Sequence, residues 1–364
     1  MITYKMADVV KEISVRENNP ATSKYDKFVG LEHYITGEVV IRQYGGTGML
    51  NSAMKVFQAG DILVARRNVY LRRASTVDFD GLTSGDSIVL RAENPRIAKL
   101  LPFILNSDRF WDYADQHADG TMSKRLSPKI LMQYEFTLPS EEEQDRLIEL
   151  LWSMDRTKQA YKQLISATDE LVKSQFIEMS VGAKGVPTRM GDLATYINGA
   201  AFKPSDWSNT GKPIIRIQNL NDPSAPYNYF GGQLDTKYEV HTGDVLISWA
   251  THLEAYIWNG GDSWLNQHIF RVDFNKGTIN KLFFIHAANE ALKEAFKKAH
   301  GFKATMEHIK RNDFEDSIVY IPDLTIQEQF ASFVRQTDKS KFELNQALEA
   351  LNATYKKLIS ENLG

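Results

Sequence analysis

The sequence predicts a mixed α/β (α+β) protein: two repeated globular parts joined by an antiparallel pair of long coiled-coil helices, with an approximate internal two-fold. Three observations predict it. The first is that the 364-residue chain repeats itself at an offset of about 183 residues: Gly60-Asp61-Ile62-Leu63 returns as Gly243-Asp244-Val245-Leu246, Leu138-Pro139 as Ile321-Pro322, Gln144 as Gln327, Asp155 as Asp338, Lys173 as Lys356 and Glu178 as Glu361. A constant register over that distance signals duplication, and the period is far too long for a solenoid. The second is a pair of long segments, 141–179 and about 325–361, with helical apolar periodicity. The third is a set of short β-branched runs punctuated by Gly45-Gly46, Gly231-Gly232 and Gly260-Gly261.

These signals divide the chain into a first globular part (1–140), a first long helix (141–183), a second globular part (184–322) and a second long helix (323–364). The strand-like runs are Glu38–Ile41, Asp61–Ala65, Ser87–Leu90, Pro213–Ile217, Asp244–Ser248 and Ile269–Val272. A helix is expected near 281–299, with a weaker counterpart near 96–114. Both long helices follow a Leu-Pro or Ile-Pro and open on a capping-box pattern, Ser140-x-x-Glu143 and Thr325-x-x-Glu328. In the first, Leu147, Met154, Tyr161, Thr168 and Gln175 recur every seven residues, with Leu150, Leu164 and Leu171 three positions on and Leu151, Ile165, Val172 and Met179 four positions on. The second repeats the frame with Phe330, Leu344, Leu351 and Leu358, joined by Val334 and Leu348. A helix of 39 residues is about 58 Å long, too long to lie across one such domain. Two separate surface helices, or a pair serving self-association, would satisfy the pattern. The matched heptad frames and the chain order favour an antiparallel pair acting as a strut, packed through Leu147, Leu151, Met154, Tyr161, Leu164, Leu171, Phe330, Val334, Leu344, Leu348, Leu351 and Leu358.

Composition, at 43% hydrophobic and 24% charged, is that of ordinary soluble globular protein with room for two cores. No run of 18 apolar residues occurs and the N-terminus lacks the apolar core of a signal peptide, so a cytoplasmic protein without membrane contact is expected. The absence of cysteine rules out disulfides, a thiol nucleophile and cysteine-ligated zinc. The net charge of −3 hides a partition: 18 basic against 16 acidic residues in 1–140 and 15 against 15 in 184–322, but 5 against 9 in 141–183 and 5 against 6 in 323–364. Any polyanion must therefore be met by local clusters in the globular parts.

The phosphate-binding loop, dinucleotide fingerprint, nucleophile elbow and zinc-protease motifs are all missing, as is the Asn-Pro-Pro-Tyr type of tetrapeptide of amino-methyltransferases. No catalytic residue, metal site or cofactor site is expected. Loops rich in arginine or in aromatic residues do follow the repeated Gly-Asp-(Ile/Val)-Leu. In the first half Arg66, Arg67, Tyr70, Arg72 and Arg73 share one turn with no acidic residue between them, which is costly unless an anion is close; guanidinium suits both phosphate and guanine edges. In the second half the same place holds Trp249, Thr251 and His252, followed by Trp258 and Trp264, with Asn266-Gln267-His268 suited to base edges. The three tryptophans are equally suited to a core. A further matched pair of loops precedes each long helix, with Thr121, Ser123, Lys124 and Arg125 in one and Lys303, Thr305 and Lys310 in the other, suited to phosphate. Lys203 and Arg216 complete the candidates for DNA contact.

The duplicated layout resembles the specificity (S) subunit of type I restriction-modification systems over essentially the whole chain. The segments that carry the resemblance are Phe330-Ala331-Ser332-Phe333-Val334 through Lys341, Phe28-Val29-Gly30-Leu31-Glu32-His33 with Gly60-Asp61-Ile62-Leu63, and Met190-Gly191-Asp192-Leu193 with Pro213–Ile217 and Trp264–His268. The resemblance implies that each globular part is a target recognition domain reading one half of an interrupted site in double-stranded DNA, with the helices setting the gap. It also implies two adenine methyltransferase (M) subunits on the helices and restriction (R) subunits for cleavage, with S-adenosylmethionine, ATP and Mg confined to those partners. The two parts differ in sequence outside the scaffold, so the site should be asymmetric. A type IIB setting uses a similar subunit, and a coiled-coil protein-interaction scaffold is the alternative of another class; DNA binding separates the last from the others.

Overall fold

The structure is a computed structural model that describes residues 2–222, 224–275, 279–300 and 309–363. The chain divides into two compact units, Met1–Leu164 with Leu344–Gly364, and Ile165–Glu343. The division falls inside both long helices, Glu141–Ile177 and Leu324–Asn362, so each unit holds one globular part and a portion of both helices.

In the first unit Ile2–Lys5 pairs with Glu135–Leu138, and a four-stranded antiparallel sheet runs in the order Val10–Ile13, Ser87–Ala92, Ile62–Ala65, Ala74–Thr76. A second sheet runs Arg16–Glu17, Met54–Phe57, Gly81–Thr83, Lys27–Val29, Gly45–Gly46, with the Lys27–Val29 and Gly81–Thr83 pair parallel. The second unit repeats this. Val186–Arg189 pairs with Ile318–Ile321, and the four-stranded sheet runs Ala194–Asn198, Ile269–Phe274, Val245–Ser248, Glu254–Ile257. Its second sheet runs Glu239–Val240, Ser263–Leu265, Lys212–Ile215, Asn228–Phe230 with the equivalent parallel pair.

The repeated Gly-Asp-(Ile/Val)-Leu is explained by where it sits. Gly60 (φ 89°) and Gly243 (φ 92°) make a left-handed turn that a side chain would strain. The next residue closes that turn: Asp61 Oδ2 accepts from the Gln58 amide at 2.8 Å and Asp244 Oδ2 from the His241 amide at 2.9 Å. The strand that follows is apolar on both faces because it is buried on both. Ile62 and Val64 join the core beneath the helices, and Leu63 and Ala65 the core beneath the second sheet. Val245 and Ile247 face one core and Leu246 the other in the second copy. The repeated glutamine is a hook: buried Gln144 donates to the Pro139 carbonyl (2.9 Å) and buried Gln327 to that of Pro322 (2.8 Å), tying each long helix to the strand before it.

Several local expectations are corrected. Glu38–Ile41 is not a strand: Val40 makes a single parallel bridge to Thr76, because the Glu38 carboxylate is drawn to Gln159, Lys162 and Arg42. The 96–114 helix is two helices, Pro95–Ile104 and Asp108–His117, the second capped by Ser107 Oγ accepting from the Phe110 amide. The strand in 213–217 ends at Ile215, and Ile217–Asn221 is helical with the Asn219 side chain accepting from the Arg216 amide. The first capping box forms, with the Ser140 and Glu143 side chains each accepting from the other's amide. The second does not: the helix opens at Leu324, with the Ile326 and Gln327 amides on the Asp323 carbonyl, so Thr325 lies inside the first turn and Asp323 is the counterpart of Ser140.

Within each unit the two helices run antiparallel. In the first, Leu147, Leu151 and Met154 share a core with Tyr355, Ile359 and Leu363, with Leu351 and Leu358 packed beside them. In the second, Val172 and Phe176 meet Phe330 and Val334, and the Phe176 and Phe330 rings lie 5.5 Å apart. Tyr161, Leu344 and Leu348 are half-buried. Leu164 and Leu171 are not seam residues: they are 51% and 48% exposed, as is Leu150 at 45%. The seam alternates steps of four and three through 147, 151, 154, 158 and onward, so the positions three after each heptad start turn outward.

Candidate nucleic-acid interface

Three loops converge at one end of the two inner strands of the four-stranded sheet in the first unit: the exit of Ile62–Ala65 (66–68), the turn entering Ser87–Ala92 (84–86), and 121–126. Their backbones are bonded together. The Arg66 amide donates to the Asp86 carbonyl (2.9 Å) and the Leu126 amide to the Arg66 carbonyl (2.8 Å). Side chains add to this: Arg125 Nη2 lies 2.6 Å from Asp86 Oδ1, Arg67 Nη1 3.9 Å from Asp86 Oδ2, and Ser123 Oγ donates to Asn68 Oδ1 at 2.8 Å.

The second unit uses the same scaffold. The Trp249 amide donates to the His268 carbonyl (3.4 Å) and the Ile309 amide to the Trp249 carbonyl (3.3 Å), at positions 182 or 183 residues from their counterparts. The turn residue is left-handed in both, Asn68 at φ 55° and Thr251 at φ 61°. Such backbone costs of order 1–3 kcal/mol, more readily met by Asn than by β-branched Thr, and its retention in loops of unrelated sequence marks a constraint on the loop itself. A fourth shared feature borders the cluster: the Gly30 amide donates to His33 Nδ1 (2.9 Å) as the Arg216 amide does to Asn219 Oδ1 (3.1 Å). In the second unit a hollow of about 390 Å3 opens there, lined by Arg216, Ile217, Gln218, Asn221, Thr251, Asn266 and His268.

The expected site residues divide. Arg67 (53% exposed), Ser123 and Arg125 stand at the first cluster, with Arg66 half-buried beside them and its Nε buried without an acceptor. Thr121 and Tyr70 are exposed nearby on the same loops. Lys124 is bound to the Asp115 side chain (2.7 Å). Arg72 and Arg73 are turned to other partners. Arg72 lies 2.5 Å from Asp108 and 3.0 Å from Asp112, while Arg73 donates to the carbonyls of Leu31 (2.9 Å) and Arg67 (3.2 Å). The four arginines do not await an external anion together: the helix Asp108–His117 brings carboxylates to Arg72, and Asp86 serves Arg67 and Arg125.

In the second unit Arg216, Thr251, Asn266 and His268 share the hollow, and exposed Gln267 touches His268 (3.2 Å). The Arg216 guanidinium lies 5.8 Å from the Trp207 ring. His252 is paired with Glu254 at 2.9 Å. Trp258 and Trp264 belong to the core, and Trp249 stacks on Phe270. Lys203 is exposed, away from the hollow lining, and Lys310 is exposed next to Ile309. Lys303 and Thr305 lie outside the described residues. Sequence reasoning missed Asn68 and Asp86, and Gln218 and Asn221; the match of Asn68 to Thr251 at the repeat offset was a signal for the first. Among the described residues no group of three or more His, Asp or Glu is placed to hold a metal, and no helix is long and apolar enough to cross a membrane.

Residues 186–352 match the family described as type I restriction modification DNA specificity domain. A stretch of 168 residues is 28% identical to the type I restriction enzyme EcoBI specificity subunit of Escherichia coli, covering 44% of this chain and 35% of that protein, so the match spans about a third of the length of the curated relative. Two solved structures share the fold. A chain from work on complex assembly and conformational transition of the type I R-M system superposes with a TM-score of 0.60 at 18% identity, covering 99% of this chain and 96% of that one. The type I restriction-modification system S subunit from M. genitalium gives 0.53 at 14% identity, covering 98% and 94%. The chain is thus similar to the type I restriction-modification specificity subunits: residues 186–352 match the DNA specificity domain, and a second copy of the same architecture precedes it.

Proposed function

We propose that the chain is the non-catalytic DNA-recognition subunit of a type I restriction-modification complex. Each globular part reads one half of a bipartite, interrupted site in double-stranded DNA through its loop cluster. The long helices set the gap and dock two methyltransferase subunits, to which restriction subunits add; S-adenosylmethionine, ATP and Mg act on those partners. The observation that carries this reading is one backbone scaffold presented twice with different side chains, Arg67, Asn68 and Arg125 around Asp86 in one copy and Thr251, Asn266 and His268 with Arg216 in the other. A scaffold held by main-chain bonds and varied only in its outward groups suits direct readout of two different half-sites, because base identity is read by side-chain donors and acceptors over a fixed backbone.

The test is co-expression with the methyltransferase subunit of a type I system, followed by methylome sequencing. Adenine methylation at one asymmetric interrupted site is expected, and exchanging residues 200–275 for those of a relative should change one half-site only. Methylation without dependence on this chain, or a change in both half-sites, refutes the proposal. The purified chain alone should turn over no S-adenosylmethionine and cut no DNA.

A further inference from the structure

The first unit contains a cavity of about 680 Å3, within the range typical of small-molecule sites, where the globular part meets the two helices. Its lining includes Lys158, Tyr355, Trp111 and Asn352. Lys158 is only 6% exposed, and its ammonium lies 4.4 Å from the centre of the Tyr355 ring. No carboxylate among the described residues is within ion-pairing distance of it; Glu38, also on the wall, is held by Lys162, Gln159 and Arg42. Burial lowers the Lys158 pKa, opposed in part by the charges of Glu38 and Asp155. Two further donors on the wall lack acceptors: the Tyr355 hydroxyl and the Trp111 indole N–H are buried and unpartnered. Burying a donor without an acceptor costs its full desolvation, which a bound acceptor would relieve.

The internal repeat supplies the comparison that gives these groups meaning. At the repeat offset Lys158 corresponds to Lys341, and in the second unit Lys341 is paired with Asp169 on the facing helix. The residue that corresponds to Asp169 in the first unit is Asn352, a neutral amide on the cavity wall. The copy with the cavity has the lysine without the carboxylate.

We infer that this cavity binds a small organic oxyanion, a carboxylate or a phosphate, which takes the place against Lys158 that Asp169 takes against Lys341. The Tyr355 hydroxyl and the Trp111 N–H donate to its remaining oxygens. The inference is independent of DNA recognition, since it rests on other residues.

Isothermal titration of the full chain in chloride buffer with inorganic phosphate and with citrate tests it, the stronger of the two identifying the oxyanion class. Saturable binding is expected, with a higher unfolding temperature. The deciding variant is Asn352→Asp, which restores the carboxylate of the other copy: it should fold at least as stably and lose at least about tenfold in affinity. Tyr355→Phe should weaken binding without destabilising the free protein, because the hydroxyl it removes has no partner. Lys341→Met should bind as the wild type does. No saturable binding of either probe up to about 10 mM, or unchanged binding by Asn352→Asp, overturns the inference.

Discussion

Replacing arginines of the first loop cluster one at a time separates those that meet DNA from those that hold the fold. Arg67 and Arg125 share one carboxylate, Asp86, at 3.9 and 2.6 Å, whereas Arg72 is held between Asp108 and Asp112. If Arg67 contacts phosphate, Arg67→Ala removes one counterion-releasing contact and the slope of log affinity against log salt becomes shallower by about 0.9. Over a fourfold rise in salt, that slope difference makes the fall in affinity about 3.5-fold smaller than in the wild type. If Arg67 is bidentate to guanine, the loss is instead about 1–3 kcal/mol and confined to duplexes carrying that base. Arg72→Ala should leave the slope unchanged and cost about 1 kcal/mol of stability or less, since both of its ion pairs are largely solvent-exposed. Asp86→Asn removes the internal anion and should steepen the slope by up to about 0.9. The assay is fluorescence anisotropy with cognate and scrambled duplexes at several salt concentrations, alongside urea unfolding. Equal slope changes for Arg67→Ala and Arg72→Ala would show that the carboxylates of Asp108 and Asp112 release Arg72 to DNA, and the division drawn here would fail.

Gln327→Leu should cost about 1–3 kcal/mol, because it leaves the Pro322 carbonyl and the Asn280 amide without the buried side chain that serves both; urea unfolding reads it, and a neutral result removes the hook. Ser140→Ala should cost about 1 kcal/mol through loss of the helix cap, whereas Thr325→Ala, inside its helix, should cost little. His286, pressed against Phe176 and Phe330, has its pKa lowered by burial from the ordinary imidazole value of 6.5, so protonation favours the unfolded state. Its contribution is full above about pH 6.5 and is lost as the pH falls below that value toward the folded pKa; an identical acid profile in His286→Asn would contradict this. Inserting four residues in phase into both long helices adds about 6 Å, so the gap between half-sites should widen by one or two base pairs of about 3.4 Å each with the bases unchanged. Altered bases at a constant gap would show that the helices are not the ruler.

The features legible in the sequence are those set by period and by neighbours in the chain. The duplication shows as a constant offset along the chain and both long helices as sustained periodicity, while the first capping box and the buried strand after Gly60-Asp61 announce themselves within a few residues. What escaped depends on partners far away. Arg72 meets carboxylates at 108 and 112, and Glu38 leaves the sheet for Lys162 across more than a hundred residues. Leu164 and Leu171 show a subtler limit: both three-on and four-on positions are apolar, and only packing decides which row faces the partner helix. The loop clusters were half legible, because the sequence singles out segments that do converge in the fold but the carboxylates that neutralise their arginines come from elsewhere.

The loop clusters are anchored through main-chain groups: the Arg66 and Leu126 amides in one copy, the Trp249 and Ile309 amides in the other. An amide is chemically the same beneath any residue except proline. The anchoring therefore places almost no demand on which side chains the loops display, and mutation can sample new outward chemistry at positions 67, 266 and 267 without first rebuilding the support. Asparagine and threonine already occupy equivalent places at 68 and 251 in one chain. Under the proposed function such a molecule would drift readily between targets: a single exchange would alter what is bound, while the folding free energy, stored in the doubly covered strand behind the loops, would be left almost untouched.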